Sequence, residues 1–271
     1  MADGREPRDK GRAAASGPRI REIPVRVVVP NLITVLSVCA GLTGVRLAFE
    51  GRFELAVALL LVAALLDFVD GRAARLLKAS TKFGAQMDSL ADVINFGVAP
   101  ALVLYAYLLE RAGAIGWMAA LLFAIACALR LARFNVMLED PDQPAWEADY
   151  FVGVPAPAGA VLLLLPVYFG FIGAPLGQPA VAYGAAAYAV AIALLLISRI
   201  RVYSGKGPSK NIRRDVVPPA ILLVVLYVLL FFNYTWYTLA ISSVLYLLLL
   251  PASMRAYAAR HRRETQQAGT D

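Results

Sequence analysis

The stretch DFVDGRAARLLKASTKFGAQMDSLAD, residues 67–92, decides how this chain is read. It places carboxylates at Asp67, Asp70, Asp88 and Asp92, with Gly71, Ala74, Arg75 and Gly84 between them. Leu55 to Leu66 before it is wholly apolar, and Phe96 to Leu109 after it carries no charge. Two carboxylates therefore close one membrane-type helix and two open the next. Asp or Arg at a helix centre in lipid costs about 2.5–3.5 kcal/mol, so such residues are rare there without a function.

The spacing predicts what these residues do together. In a helix over 54–78, Asp67 and Asp70 are three apart and share a face that Ala74 continues; Asp88 and Asp92, four apart, share a face of the next helix. Lys78 to Phe83, with Gly84 behind them, suffice to turn the chain back so that the two acidic pairs face each other. Converging carboxylates repel and require protons or cations. Oxygen-only ligands favour magnesium, manganese or calcium. Gly71 and Gly84 leave bare backbone for a ligand, and the guanidinium fork of Arg75 suits a phosphate. Helix capping at a water interface accounts for one such Asp but not for four in this arrangement.

DxxDGxxAR followed by GxxxDxxxD resembles the signature of the CDP-alcohol phosphatidyltransferases, with every fixed position present. The resemblance implies metal-ligand roles for Asp67, Asp70 and Asp88, and for Asp92 a base that deprotonates the acceptor alcohol while also touching metal. It implies a pair of Mg2+ or Mn2+ ions per site. It places Asp70, Gly71, Ala74, Arg75 and Gly84 around CDP. PNLIT, residues 30–34, also matches and adds Asn31 and Thr34 to the nucleotide site.

Composition agrees with a membrane protein. The chain is 60% hydrophobic, with a mean hydropathy of +0.65. Apolar runs near 31–49, 54–78, 85–109, 115–138, 155–172, 180–198, 216–232 and 236–254 predict an all-α polytopic bundle of about eight transmembrane helices. By the resemblance, six form the family core and two are added, and the molecule is a homodimer. The expected domains are a disordered basic tail at 1–18, an interfacial juxtamembrane segment at 19–29, the transmembrane domain at 30–258 and a polar tail at 259–271. With both termini in the cytoplasm, all but Arg46, Arg52 and Arg111 of the 26 lysines and arginines fall inside. This places the acidic motif on the cytoplasmic face of a bacterial-type inner membrane. The net charge of +7 reflects that bias and contact with anionic lipid, not nucleic acid. Cys39 and Cys127 lie in apolar runs and read as inert buried thiols. His261, the one histidine, sits in the basic tail, which excludes a histidine triad or a His-ligated zinc within the spans.

A second set of residues bears on the acceptor. ALRLARFN carries Arg130 and Arg133 on one helical face, FVGVPAPAGA is rigid and small, and the loop ISRIRVYSGKGPSKNIRR holds Lys210. The positive-inside bias and lipid headgroups account for these cations equally well. DSLADxxxFGxAPA, RLARFN, FVGVPAPA and GPSKNIR resemble the branch of the family that forms phosphatidylserine. Ser89 and Val93 stand where branches making phosphatidylglycerophosphate carry Pro and Lys, and Asn95 stands where many serine-type relatives carry Ser. The implied substrates are CDP-diacylglycerol and L-serine, with Arg130, Arg133 and Lys210 as candidates for holding the serine carboxylate. The expected reaction gives phosphatidylserine and CMP. Two alternatives stay open: the same chemistry with glycerol 3-phosphate, inositol phosphate or choline, and a divalent-cation transporter using the four Asp.

Overall fold

The computed structural model of this chain describes residues 25–77, 81–138, 150–198, 201–203 and 217–268. The tail at 1–18 and Lys210 lie outside these residues. Helix α1 (Val25–Phe49) turns at Gly51 into α2 (Phe53–Leu76). Helix α3 (Lys82–Asp92) leads through a wide π-helical turn, Val93–Val98, into α4 (Ala99–Tyr107). A short 3-10 turn, Leu109–Ala112, precedes α5 (Gly113–Leu138). The strand β1 (Tyr150–Val152), the helices α6 (Ala156–Leu163), α7 (Leu165–Phe171) and α8 (Pro179–Ile197), and the strand β2 (Arg201–Tyr203) follow. Helices α9 (Val217–Asn233) and α10 (Thr235–Ala268) end the chain.

Among the described residues, four stretches are long and apolar enough to cross a membrane: Val28–Phe49, Lys82–Tyr107, Leu109–Met137 and Pro179–Ile197. Helix α2 has 24 residues but carries Asp67, Asp70, Arg72 and Arg75 in its second half. Each of the other expected spans has a helical counterpart, and the protein is a multi-pass membrane helix bundle. Its centre is built from small residues. Ala119, Ala120, Ala126 and Cys127 of α5 are buried, as are Ala182, Ala185, Ala186 and Ala189 of α8, and these two helices pack together. Small side chains let helix backbones approach where lipid supplies no hydrophobic drive. Helix α9 has no buried residue and packs mainly on α10.

An aromatic chain ties together the helix ends farthest from the acidic motif. Phe53 meets Tyr107 edge-on at 4.9 Å, Tyr107 meets Phe171 at 5.7 Å, and Phe171 meets Trp236 at 4.7 Å. These rings join the start of α2, the end of α4, the end of α7 and the start of α10. Arg111 donates to the Leu176 carbonyl at 2.9 Å beside them.

Several local details go beyond the sequence pattern. Residues 19–24 of the expected juxtamembrane segment lie outside the described residues, and α1 starts at Val25 and runs through Pro30. The expected helix at 155–172 is divided at Leu164, since Pro166 has no N–H to give the Leu162 carbonyl. The Tyr188 hydroxyl on α8 donates to that carbonyl at 2.7 Å instead. A short two-stranded ladder accompanies the all-α bundle: β1 and β2 pair antiparallel, with Phe151 opposite Val202. The polar tail is helical as far as Ala268. Cys127 is buried, but Cys39 is exposed on α1.

Phe171, like Tyr107, touches two rings of the aromatic chain, and Phe171→Ala is expected to destabilise the bundle by roughly 2–4 kcal/mol. Thermal unfolding in detergent checks this: the midpoint should fall by several degrees.

Candidate active site

The site forms where the end of α2 meets the start of α3, against the first turns of α1. Thr81 caps α3, its Oγ1 accepting from the Gly84 N–H at 3.0 Å. The cap fixes where α3 starts and so turns Asp88 and Asp92 toward α2. Ligand oxygens of Asp67, Asp70 and Asp88 lie within 4.8 Å of one another. Asp92 follows Asp88 by one turn of α3. The pair on α2 faces Asp88, and these three carboxylates converge.

Their surroundings leave them uncompensated. Asp70 is 2% exposed. Both of its carboxylate oxygens and Oδ1 of Asp67 are buried without a hydrogen-bond partner. Among the described residues no Lys or Arg forms an ion pair with any of the four. Arg72 stacks on Phe68, 4.3 Å from the ring centroid, and Arg75 donates from Nε to the Gly71 carbonyl at 3.0 Å. Buried charge of one sign with free lone pairs costs several kcal/mol per group unless a cation completes it. The oxygen-only donor set fits a hard divalent cation, which the family implies.

Beside the carboxylates lies a cavity of about 280 Å³, lined by Asn31, Thr34, Asp70, Gly71, Ala74, Arg75, Gly84 and Asp88. Every residue expected at the CDP site lines it. A Cβ added to Gly71 would meet nothing within 4 Å, so the bare backbone faces open space. A Cβ on Gly84 would come to 3.0 Å from Oδ1 of Asn31, so a larger residue there would crowd the cavity wall. Thr34, on α1, donates from Oγ1 to the Pro30 carbonyl at 3.1 Å, which orients its side chain at this wall. An apolar groove of about 560 Å³ adjoins the cavity and shares Asn31 and Thr81 with it; Val28, Leu32, Phe83 and Met87 also line it.

The acceptor candidates separate. Arg130, on α5, is 7% exposed, and its Nε has no partner. Its guanidinium lies within electrostatic reach of Asp92. Arg133 is already engaged: its terminal nitrogens donate to the Ile197 carbonyl at 2.9 Å and to those of Ser198 and Leu196 at 3.4 and 3.5 Å. It caps the C-terminal end of α8, and a Cβ on Gly153 would strike these same carbonyls. The chain there has φ +78, which glycine adopts freely. Arg133 thus fastens α5 to the end of α8.

Sequence reasoning missed three features of the site. The π-helical turn directly follows Asp92. Its cause is Pro100, which has no N–H for the Phe96 carbonyl, while the Ala99 N–H reaches back to Ile94. The signal was present in NFGVAP, since π turns often arise beside functional residues. Asn95 in this turn is buried and donates to Ser37 of α1 at 3.1 Å, leaving its Oδ1 without a partner. Asn135 of RLARFN donates to Ser89 Oγ at 3.0 Å, joining α5 to α3 next to Asp88. The serine in place of proline after Asp88 is therefore a structural link as well as a family mark.

A carboxylate cluster, a glycine-walled cavity and an apolar groove thus lie together at one end of the helix bundle. The family model for CDP-alcohol phosphatidyltransferases matches residues 27–197, well over half of the chain, and the chain belongs to this family. It is 45% identical over 208 residues to the CDP-diacylglycerol–serine O-phosphatidyltransferase of Mycobacterium leprae, covering 75% of this chain and 65% of that protein. It is 50% identical over 147 residues to the Mycobacterium tuberculosis protein of the same name, covering 53% of this chain and 51% of that one. The protein of that name from Bacillus subtilis is 33% identical over 156 residues, covering 57% of this chain and 84% of its own length. The chain thus spans between half and two thirds of the mycobacterial relatives.

Manganese or magnesium is expected to raise the thermal midpoint of the purified protein by several degrees, because a cation bound only by the folded state adds about 2.7 kcal/mol at a hundredfold excess over its Kd. Asp70→Asn removes a buried charge from among like charges. Its metal-free midpoint should be no lower than that of the parent, and its metal-induced shift should be lost. Equal shifts in the two proteins would place the cation elsewhere.

Proposed function

We propose that this protein transfers the phosphatidyl group of CDP-diacylglycerol to the hydroxyl of L-serine, giving phosphatidylserine and CMP. The observation that carries the reading is the set of buried, unpartnered oxygens of Asp67 and Asp70 facing Asp88 beside the Gly71 opening. The names of the relatives support serine as the acceptor.

In this reading Asp67, Asp70, Asp88 and Asp92 hold two divalent cations, Mg2+ or Mn2+, which supply charge neutralisation for the diphosphate when bound. The open backbone at Gly71, the wall at Gly84 and the donors of Arg75 receive the nucleotide diphosphate. The groove beside Asn31 and Thr81 takes an acyl chain. Arg130 is the cation for the serine carboxylate. Arg133 positions the segment opposite it through α8 rather than by touching the acceptor, and Lys210 stays a candidate from the sequence. Asp92 accepts the proton of the serine hydroxyl, whose oxygen forms a bond to the phosphorus bearing the diacylglycerol. The bond from that phosphorus to the CMP oxygen breaks, and CMP leaves. One in-line displacement requires only positioning and charge neutralisation.

The charge bias of the loops supports eight crossings, cytoplasmic termini and a site open to the cytoplasmic face of the inner membrane, where a nucleotide-activated lipid and serine meet. A homodimer belongs to the same reading through the family.

Purified protein with CDP-diacylglycerol, Mn2+ or Mg2+ and one of serine, glycerol 3-phosphate, inositol phosphate or choline tests this. CMP release is expected with serine alone; release with another acceptor would overturn the serine assignment. Asp92→Asn should retain metal-dependent CDP binding while kcat falls by about a thousandfold, within the usual range for loss of a general base. Near-parental turnover would remove Asp92 from that role.

A further inference from the structure

The π turn that begins directly after Asp92 is gripped from two sides. Asn95, Phe96 and Gly97 within it are all buried. Toward α5, a Cβ added to Gly97 would come to 3.1 Å from Cβ of Cys127, so the two helices meet as closely as a glycine allows. Toward α1, the Asn95 amide donates to Ser37 Oγ at 3.1 Å. Its Oδ1 lies against Gly41, where an added Cβ would strike it. Ser37 and Gly41 are four apart on one face of α1, so the amide is bracketed between them.

The link continues to the nucleotide cavity. Ser37 donates its hydroxyl hydrogen to the Thr34 carbonyl at 2.8 Å, and Thr34 lines the cavity. Thr34, Ser37 and Asn95 are all buried. A buried hydrogen-bonded track thus runs from the cavity wall to the turn that follows Asp92. Stability does not account for it. The unpartnered Oδ1 of Asn95 costs at least as much as one ordinary hydrogen bond returns, and an apolar side chain of the same shape would pack as well. What the polar link supplies is a single register of the turn against α1.

We infer that Asn95 is a positioning residue for the transfer reaction: bracketed by Ser37 and Gly41, it sets the rotation of the π turn against α1, and through the turn it aims the Asp92 carboxylate relative to the cavity wall at Thr34. The inference rests on the reading above in which Asp92 is the base, and deepens it. Asn95 acts through Asp92 and not on the substrate, since neither the nucleotide cavity nor the adjoining groove includes it. Asp67, Asp70 and Asp88 all precede the turn, and their convergence does not depend on it.

Asn95→Leu, which keeps the branching of the side chain and removes both polar atoms, tests this in the full-length protein in detergent. With the acceptor that the parent uses, kcat is expected to fall by about tenfold to a hundredfold, the scale for misplacing a reacting group by up to about 1 Å. KM for that acceptor and for CDP-diacylglycerol should stay within about twofold. The thermal midpoint should be no lower than that of the parent, and the rise induced by Mn2+ should be kept. In the Asp92→Asn background the same change should cost no further turnover, because nothing remains to be aimed. Ser37→Ala, which removes the other half of the bond, should lower kcat in the same way, and it decides the matter by these readings if Asn95→Leu does not fold. An unchanged kcat would overturn the inference. So would an equal further loss in the Asp92→Asn background, or loss of the Mn2+ shift, which would make Asn95 a support of the carboxylate cluster. Asp92→Asn alone reports on the base: near-parental turnover there overturns both readings, whereas an active Asn95→Leu beside an inactive Asp92→Asn overturns only this one.

Discussion

Mutual repulsion among Asp67, Asp70, Asp88 and Asp92 is the constraint on which the rest of the structure depends. Two helices must hold four like charges together, mostly out of water, with no Lys or Arg ion pair to any of them among the described residues. Such a cluster is tolerable only if the surrounding bundle is rigid and a cation completes the set. The rigidity is visible at both ends of the molecule. Thr81 fixes where α3 starts, Asn135 ties Ser89 to α5, and Asn95 ties the π turn to α1. At the far end, the aromatic chain from Phe53 to Trp236 holds four helix ends together.

The positive side chains near the site divide their labour. Arg72 rests on an aromatic ring and Arg75 on a backbone carbonyl, so both stay beside the carboxylates without neutralising them. That leaves the acidic cluster open to metal and the Arg75 guanidinium within reach of a phosphate. Arg133 closes the end of α8. Arg130 alone of the two arginines on the ALRLARFN face keeps a buried nitrogen without a hydrogen-bond partner.

The acidic motif was fully legible in the sequence because i, i+3 and i, i+4 spacing puts each pair on one helical face, and one turn brings two faces together. The cavity residues from Asn31 to Asp88 were legible only through resemblance, since nothing in PNLIT alone says that α1 meets the α2–α3 turn. Helix existence followed from apolar length. Helix breaks did not, because the effects of Pro30, Pro100 and Pro166 depend on whether a neighbour satisfies the freed carbonyl. Tyr188 does so for Leu162, and that contact joins residues 26 apart. The β1–β2 pair and the engagement of Arg133 were illegible for the same reason, as both are set by tertiary register and not by local pattern.

The most direct test of the central claim is the anomalous scattering of manganese in crystals grown with CDP-diacylglycerol. The account predicts peaks bounded by the carboxylates of Asp67, Asp70, Asp88 and Asp92, with the diphosphate against Gly71. Bound CDP-diacylglycerol with no manganese at these carboxylates would contradict it.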